Sequence, residues 1–531
     1  MRTSVFRLIG FVIVLSALAL TGCDPAPQES LIRVRVRVDG QERILSASEP
    51  MSVRQLLQKE NIRTGDLDRL NPSDFTPIVD GMVITIVRVE NRSECVEEEV
   101  PYATETLKTP DLAPGVSRVL RPGVSGSARL CFDVIYEDGA EKSRVQSSRT
   151  ILTPPVSQIM AVGVDSSRIE PIPISGMIVY LSGGQARYVT EISTTQGTLP
   201  TGGGLDGQVF AGSVEGRWML YTRKPDPARE GTQNELWVLL NTGNPDAEPI
   251  KLVVENILTA DWIPSRPFTF SYSTLQPRSE PPGYQALNDL YIARLDSASG
   301  KIIRADPIIS PSPLSVYGLW GTRFAWSPDG NRLAWGGAEG AGVVDLEKGA
   351  YERLISFSVY TTTLSNGWLW LPSLSWSADS ALISASVHGQ VLAGESAETS
   401  PVFNLAALDG DGRFQVPELR FKTGMWSAPQ YAPLPELGIA YLQARNPIDS
   451  VSSEYDLAIA DRDGSNARVL FPGKDRPGIR PLDDGSDIAW SPDGRQIAVV
   501  YQGDVYVVEV ASGRATVITV VGDAQHPRWL R

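Results

Sequence analysis

Cysteine and histidine, which often supply nucleophiles and metal ligands, are scarce in this sequence of 531 residues. It contains three cysteines, Cys23, Cys95 and Cys131, and two histidines, His388 and His526. Neither histidine has another nearby in sequence, so we expect structural or solvated roles for both and no metal site. The sequence holds no Gly-x-Ser-x-Gly, His-Glu-x-x-His or Gly-x-x-x-x-Gly-Lys-Ser/Thr motif. It therefore predicts no catalytic residue and no cofactor.

Two acidic turns resemble calcium-binding loops at first sight. They are Asp409-Gly410-Asp411-Gly412 and Asp461-Arg462-Asp463-Gly464. An EF-hand loop needs a bidentate acid at its twelfth position, which both lack. We therefore expect hairpin turns, in which Asp-Gly is a common pair. A carboxylate pair brought together from different strands stays open as an alternative, because sequence spacing does not show such a pair.

The charge balance bears on the classes of partner. There are 48 Lys and Arg against 62 Asp and Glu, a net charge of −14, and no long basic block. This argues against binding to nucleic acid phosphates and against attraction of the chain to anionic lipid headgroups. With 42% hydrophobic and 21% charged residues, the composition is that of a globular protein.

The first 22 residues have the pattern of a secretory signal peptide. Arg2 and Arg7 precede an apolar run over residues 8–20, which is short for a bilayer span. The following Leu20-Thr21-Gly22-Cys23 resembles the bacterial lipobox, in which the cysteine is acylated. The resemblance implies removal of residues 1–22, a lipid on Cys23, a linker over residues 23–30, and a location on the extracytoplasmic face of the cell membrane.

Cleavage would leave two thiols, Cys95 and Cys131, in an oxidising compartment. An even pair of cysteines there is usually a disulfide, so we predict a bridge between them. Closing a loop of about 37 residues stabilises the folded state by about 4 kcal/mol in the chain-entropy model.

Residues 31–89 predict a small α+β module. Residues 31–38 alternate apolar residues with Arg33, Arg35 and Arg37, as a half-buried strand does, and Asp39-Gly40 is a hairpin signal. A short helix over residues 53–57 and a last strand over residues 82–89 follow. The module resembles the ubiquitin-like domain of resuscitation-promoting factors. Its arginine stripe could face anionic wall polymer, but nearby acidic residues favour a solvated face.

Residues 90–164 resemble the G5 domain, which is named for its glycines. Residues 96–102, 110–115 and 123–126 carry the match, with Tyr136-Glu137-Asp138-Gly139 and a closing strand over residues 151–163. The resemblance implies an elongated β module of cell-wall surfaces that binds N-acetylglucosamine polymers. Core packing is favoured for Phe132 and Tyr136, which leaves Tyr102 as the candidate ligand-binding residue. The five glycines are Gly115, Gly123, Gly126, Gly139 and Gly163.

Residues 165–531 contain a repeated phrase. Ala325-Trp326-Ser327-Pro328-Asp329-Gly330 recurs at residues 489–494, and a degenerate copy covers residues 375–380. The phrase resembles that of TolB-type propellers, in which tryptophan packs between blades. The spacing fits four-stranded blades, seven or alternatively six, one of them shared by both ends of the region. The anchor residues are Gly212, Trp262, Trp326, Trp376, Tyr431, Trp490 and Trp529.

These observations predict a mainly β protein of three parts. Cys23 would hold it to the membrane, the two small modules would bind cell-wall glycan such as peptidoglycan, and the propeller would bind a protein or glycan partner. One alternative is a glycan hydrolase or lyase with carboxylates in the propeller channel. Another is a sensor or assembly factor of the cell envelope.

Overall fold

The computed structural model describes residues 31–109, 112–361, 368–482 and 488–531. The predicted signal peptide and Cys23 lie outside these residues. The fold is mainly β, as predicted. Within the described ranges, no helix has the length and apolar character needed to cross a membrane. The described chain forms two compact units, residues 31–101 with 125–155 and residues 102–124 with 156–531.

The first unit begins with a hairpin, a helix and two further strands. Strand β1 pairs antiparallel with β2 and parallel with β4, giving the sheet order β2-β1-β4-β3. The helix begins after Ser52, whose hydroxyl accepts a bond from the Gln55 amide while the Gln55 side chain accepts one from the Ser52 amide. The elements are β1 (Ile32–Val38), β2 (Gln41–Ala47), α1 (Val53–Lys59), β3 (Arg69–Asn71) and β4 (Val83–Val87).

One face of this sheet is buried beneath the helix. The apolar residues of β1 alternate inward with those of β4, and Val53, Leu56 and Leu57 of α1 are buried against them. Burying one such side chain contributes about 1.5–3 kcal/mol. The core residues are Val34, Val36, Val38, Ala47, Val53, Leu56, Leu57, Ile78, Ile84 and Ile86.

Six strands follow, and they form two three-stranded sheets. The order β5-β8-β9 lies in the first unit, and the order β6-β10-β7 lies in the second. The strands are β5 (Val89–Val100), β6 (Thr104–Thr109), β7 (Ser117–Arg121), β8 (Gly126–Glu137), β9 (Ala140–Thr153) and β10 (Gln158–Gly163).

Glycines in and next to the β6-β10-β7 sheet permit close packing of neighbouring parts of the chain. A Cβ at Gly123 would lie 2.1 Å from the Tyr102 ring, and a Cβ at Gly163 would lie 2.0 Å from the Ala113 carbonyl oxygen. Any other residue would collide there. This sheet and the repeat region belong to the same compact unit and are in contact. One contact between them is an ion pair between Arg121 and Asp226 at 3.5 Å.

The repeat region, residues 165–531, contains seven sheets among its described residues. The last strand, β38, pairs antiparallel with β11, so one sheet combines the two ends of the region. The strands of the repeat region are β11 (Pro173–Ser182), β12 (Gln185–Thr198), β13 (Leu205–Gly212), β14 (Met219–Arg223), β15 (Glu235–Leu239), β16 (Ile250–Glu255), β17 (Ile257–Trp262), β18 (Thr269–Pro277), β19 (Tyr284–Ala286), β20 (Leu290–Leu295), β21 (Ile302–Ile309), β22 (Arg323–Trp326), β23 (Leu333–Gly337), β24 (Gly340–Asp345), β25 (Ala350–Ser356), β26 (Leu374–Trp376), β27 (Leu382–His388), β28 (Phe403–Asp409), β29 (Gln415–Arg420), β30 (Gln430–Tyr431), β31 (Ile439–Ala444), β32 (Tyr455–Ala460), β33 (Arg468–Phe471), β34 (Ile488–Trp490), β35 (Gln496–Tyr501), β36 (Asp504–Glu509), β37 (Ala515–Val517) and β38 (Gln525–Leu530). The seven sheets have the orders β12-β11-β38, β13-β14-β15-β16, β17-β18-β20-β21 with β19 paired to β18, β22-β23-β24-β25, β26-β27-β28-β29, β30-β31-β32-β33 and β34-β35-β36-β37.

The repeated phrase forms the turn after the first strand of a sheet. The Ser327 hydroxyl donates to Asp329, the Asp329 carboxylate accepts from the Asn331 amide at 3.1 Å, and Gly330 has φ +70°. In the degenerate copy, Ser380 occupies the glycine position with φ +57°. The phrase is therefore a turn in which serine and aspartate satisfy the backbone.

The tryptophan of the phrase joins neighbouring sheets. Its indole N–H donates to the sheet that precedes it in sequence, while its ring is buried between the two sheets. The donor and acceptor pairs are Trp262 to the Ala211 carbonyl at 3.2 Å, Trp326 to the Ser271 hydroxyl at 2.8 Å, Trp376 to the Ala325 carbonyl at 2.8 Å and Trp490 to the Gln430 carbonyl at 3.1 Å.

Candidate functional site

A cavity of about 800 Å³ lies within the repeat region. Its wall is formed by the innermost strands of all seven sheets and by the turns that follow them. These strands are β13, β17, β22, β26, β30, β34 and β38. Because every sheet contributes lining residues, side chains that are far apart in sequence meet in this cavity, as they do in many binding and catalytic sites.

Several polar side chains of the inner strands are used to hold neighbouring sheets together. Gln208 donates from Nε2 to the Leu258 carbonyl at 2.7 Å, and Gln430 donates from Nε2 to the Ile488 carbonyl at 2.7 Å. Each glutamine thereby bonds to the first strand of the next sheet. These two amides therefore have a structural role.

Among the described residues, the side-chain carboxylates that line the cavity are those of Asp261 and Glu215. Water reaches Asp261, but the protein that surrounds it raises the pKa of its carboxyl to about 6 through loss of hydration. The charge of Arg528 and the Trp262 amide, which donates to Asp261 Oδ1 at 2.8 Å, oppose this increase. The Asp261 carboxyl can therefore gain or lose a proton near neutral pH.

Sequence reasoning did not single out Asp261 or Arg528. Each stands immediately before an anchor of the repeat, Trp262 or Trp529, on an inner strand. A charged residue at that position, where other repeats have Ala325 or Ala489, was the available signal.

The sequence-predicted site residues are not brought together in one place. Tyr102, which is 40% exposed, packs its ring on Gly123 in the second unit. In the first unit, Cys95 lies directly opposite Cys131 in adjacent strands, and their sulfur atoms are bonded at 2.05 Å. Tyr102 and the disulfide thus belong to different units.

Both histidines lie in the repeat region. His388 is buried, with Nδ1 2.8 Å from the Ser358 carbonyl oxygen and Nε2 2.6 Å from the Ser400 carbonyl oxygen. Its ring stacks on Phe403 at 5.0 Å between centroids. His526 is half-buried in β38, and its ring centroid lies 6.5 Å from that of Phe210. The environment of His388 is that of a packed core residue.

The two acidic turns form hairpins. Asp409 ends β28 and Gly412 lies between β28 and β29, and the Asp409 carboxylate accepts from Arg413 Nε at 2.7 Å. Asp461, between β32 and β33, accepts from Asn466 Nδ2 at 2.6 Å. No group of three or more His, Cys, Asp or Glu side chains able to hold a metal ion occurs among the residues that the structure describes.

The β5-β8-β9 sheet has a row of aromatic and charged groups on one face. The guanidinium of Arg92 lies 4.8 Å from the centre of the Tyr136 ring, and that of Arg144 lies 5.5 Å from the Phe132 ring. Glu94 accepts from the Tyr136 hydroxyl and from Arg144, both at 2.8 Å. These contacts lower the pKa of Glu94, mainly through the Tyr136 hydrogen bond.

Phe132 and Tyr136 are therefore half-buried beneath arginine side chains. We expected core packing for both rings. Both edge strands of this sheet are largely exposed, and arginine stems cover the apolar ladder in place of a second layer of protein. The row of Arg92, Glu94, Phe132, Tyr136 and Arg144 is called the polar-aromatic row below.

Comparison with known proteins identifies the middle segment. Residues 91–165 match the family model of the G5 domain. The match supports a G5 domain in this segment. A stretch of 126 residues, 23% of the chain, is 29% identical to resuscitation-promoting factor RpfB of Mycolicibacterium smegmatis and covers 34% of that protein.

The repeat region is similar to TolB proteins. A stretch of 85 residues, 15% of the chain, is 36% identical to the Tol-Pal system protein TolB of Francisella tularensis and covers 18% of it. A TolB-type structure from Agrobacterium tumefaciens aligns with 61% of this chain and 96% of its own, at 15% identity and a TM-score of 0.35. The matched stretches span about a third and a fifth of the two curated relatives. Together with the sheets described above, the sequence matches support a G5 domain and a TolB-type fold.

Proposed function

We propose that this protein is an extracytoplasmic lipoprotein that is held to the membrane by acyl chains on Cys23, binds cell-wall glycan through its small modules, and binds a protein or glycan partner through its propeller. The observation that carries the proposal is the G5 match over residues 91–165, preceded in sequence by signal and lipobox patterns. One relative is a Tol-Pal system protein, which supports a protein partner for the propeller.

The proposed architecture keeps the boundaries expected from the sequence. Residues 31–89 form a ubiquitin-like module, supported by the mixed sheet β2-β1-β4-β3 with one helix across it. Residues 90–164 form the G5 domain and residues 165–531 the propeller. We infer seven blades in a closed ring, because seven inner strands line one cavity and β38 pairs with β11.

The β5-β8-β9 sheet is the favoured glycan surface. Strand β5 has 12 residues and β9 has 14, so the sheet is about 40 Å long. The polar-aromatic row offers planar guanidinium and carboxylate groups beside ring edges, which suits hydroxyl and acetamido groups of a sugar. An extended exposed row matches an extended repeating polymer.

Co-sedimentation with purified peptidoglycan tests this surface. We expect the full chain to sediment with peptidoglycan, and the double variant Glu94→Gln/Tyr136→Phe to bind at least five times more weakly, because it loses an acceptor charge and a hydroxyl. The matched control, Ser93→Ala/Asp133→Asn, changes exposed residues on the opposite face of the same strands. Equal loss in both variants, or no binding by the wild type, would refute the glycan surface.

Acylation is tested separately. Metabolic labelling with a fatty acid is expected to mark the wild-type chain and to be absent from Cys23→Ser. A labelled Cys23→Ser chain, or an unlabelled wild type, would contradict a lipid on Cys23.

An enzymatic function is the second candidate. It rests on the raised pKa of Asp261 in a cavity that also contains Glu215 and Arg528. A glycan hydrolase would release reducing ends from peptidoglycan, and Asp261→Asn would abolish their release while leaving the unfolding midpoint within a few degrees of wild type. Absence of product from the wild type would exclude this activity on peptidoglycan.

A further inference from the structure

The four-stranded sheet of the first unit has one face that remains exposed. Val34, Val36 and Val38 of β1 point into the core, so the alternate residues Arg33, Arg35 and Arg37 point to the opposite side. Ile44 of β2 lies opposite Arg35 in the register and is 68% exposed. The arginine face is defined here as Arg33, Arg35, Arg37, Glu42 and Ile44.

This face carries an excess of positive charge. Glu42 is shared between Arg37, at 2.9 Å, and Arg35, at 3.9 Å. Asp80, at the edge of the sheet, accepts from the backbone amide of Arg33. Three guanidinium groups therefore stand against two carboxylates. Charges more than about 8 Å away are screened at physiological salt, so the net charge of −14 for the whole chain does not set the potential at this face.

The distance to the proposed anchor is short. Arg33 lies ten positions after Cys23 in the sequence. A fully extended chain of that length spans at most about 36 Å. If Cys23 carries lipid, as in the proposed function on which this inference rests, β1 cannot leave the neighbourhood of the bilayer surface.

We propose that the arginine face is a membrane-contact surface that takes anionic phospholipid headgroups. The three guanidiniums bind headgroup phosphates, and Ile44 enters the interface between them. The helix α1, on the other side of the sheet, then points away from the bilayer. An acyl anchor combined with a basic patch is a stronger membrane attachment than either alone, so this face orients the module on the membrane.

Energy transfer from a tethered chain tests the orientation. The full chain from Cys23 onward is coupled through the Cys23 thiol to a maleimide lipid in vesicles, so the tether does not depend on natural acylation. A fluorophore is placed by an azido amino acid at Ser46, on the arginine side of β2, or at Gln58 on α1. The acceptor is a headgroup-labelled lipid.

In vesicles of phosphatidylcholine with phosphatidylglycerol, we expect greater transfer from position 46 than from position 58. The difference should vanish in phosphatidylcholine alone, at 1 M salt, where the screening length is about 3 Å, and in the triple variant Arg33→Gln/Arg35→Gln/Arg37→Gln. The charge-matched control, Arg304→Gln/Arg353→Gln/Arg514→Gln, removes three exposed arginines of the repeat region and should keep the difference.

Three results would overturn the proposal. Equal transfer from the two positions, a difference between them that persists in the triple variant, or a difference that is the same in both lipid mixtures would each show that this face does not bind anionic headgroups. Arginine-dependent binding to an anionic wall polymer, with no lipid-dependent transfer, would assign the face to the wall instead. A missing natural acyl group would refute the proposed anchor while leaving this result interpretable.

Discussion

Trp376 and Tyr431 occupy the same anchor position in successive repeats, so the same replacement by phenylalanine should have different consequences. Trp376 is 6% exposed and donates from Nε1 to the Ala325 carbonyl at 2.8 Å. Tyr431 is 7% exposed, and its hydroxyl has no hydrogen-bond partner among the described residues. Burial raises the pKa of Tyr431 to about 12, so its hydroxyl is neutral at physiological pH.

The magnitudes follow from these contacts. Trp376→Phe leaves the partly buried Ala325 carbonyl without the indole donor, which costs about 1–3 kcal/mol, and the smaller ring leaves a gap that costs about 1 kcal/mol more. The expected loss in the free energy of unfolding is about 2–4 kcal/mol. Tyr431→Phe removes a buried hydroxyl that makes no bond, so its effect should lie between zero and a gain of about 1 kcal/mol.

Urea unfolding followed by near-ultraviolet circular dichroism measures both effects. A lower midpoint for Trp376→Phe, with an unchanged slope, is a change in stability alone. Equal destabilisation by the two variants would refute the reasoning, because Tyr431→Phe keeps the ring and removes only a hydroxyl without a described partner, whereas Trp376→Phe removes a hydrogen bond.

Three further predictions concern ionisation and the disulfide. Cys95→Ser/Cys131→Ser should destabilise the β5-β8-β9 sheet by about 4 kcal/mol in urea unfolding, less any native strain that the bridge imposes; no change would contradict a stabilising bridge. The Arg462 hydrogen bonds lower the pKa of Asp379 to about 2, so their contribution to stability is present above about pH 4 and is lost as the pH falls toward 2. In acid titrations, Arg462→Gln should be less stable than wild type at neutral pH and should lose less stability than wild type on acidification. The pKa of Asp261 is shifted in the opposite direction, upward to about 6, so the wild type should lose stability as the pH rises through 6. Asp261→Asn should therefore become more stable relative to wild type over that range, and a stability difference that does not change with pH would contradict the shift.

Local sequence signals predicted the features that local chemistry determines. The Ser-Pro-Asp-Gly turn, the buried tryptophan and the return of the last strand to β11 depend on short-range bonds or on a repeat that can be counted along the chain. The hairpin of β1 and β2 was predicted in the same way, because its turn residues Asp39 and Gly40 both adopt positive φ, which Asp-Gly pairs tolerate. Such elements appear in the sequence because each requires particular residue types at fixed spacing.

Features that depend on register between distant strands did not appear in the sequence. Arg144 reaches Glu94 and Phe132 only because β9 lies beside β8 with register shifts at Cys131 and at Ile135. Alternation along β8 alone therefore suggested core packing for Phe132. The charge of Arg528 acts on Asp261 for a similar reason, since their strands, β38 and β17, are far apart along the chain.

The two candidate ligand surfaces differ in the size of ligand that each can take. The cavity of about 800 Å³ holds a ligand of a few sugar units or a short peptide segment, and its wall amides are partly committed to neighbouring sheets. A wall polymer is longer than any such cavity and must lie on an open surface. In the proposed function, the exposed strands of the β5-β8-β9 sheet provide that surface, with polar and aromatic groups along one face. Polymer binding should therefore respond to Glu94 and Tyr136 and be indifferent to Asp261, whereas a small ligand of the cavity should show the reverse dependence.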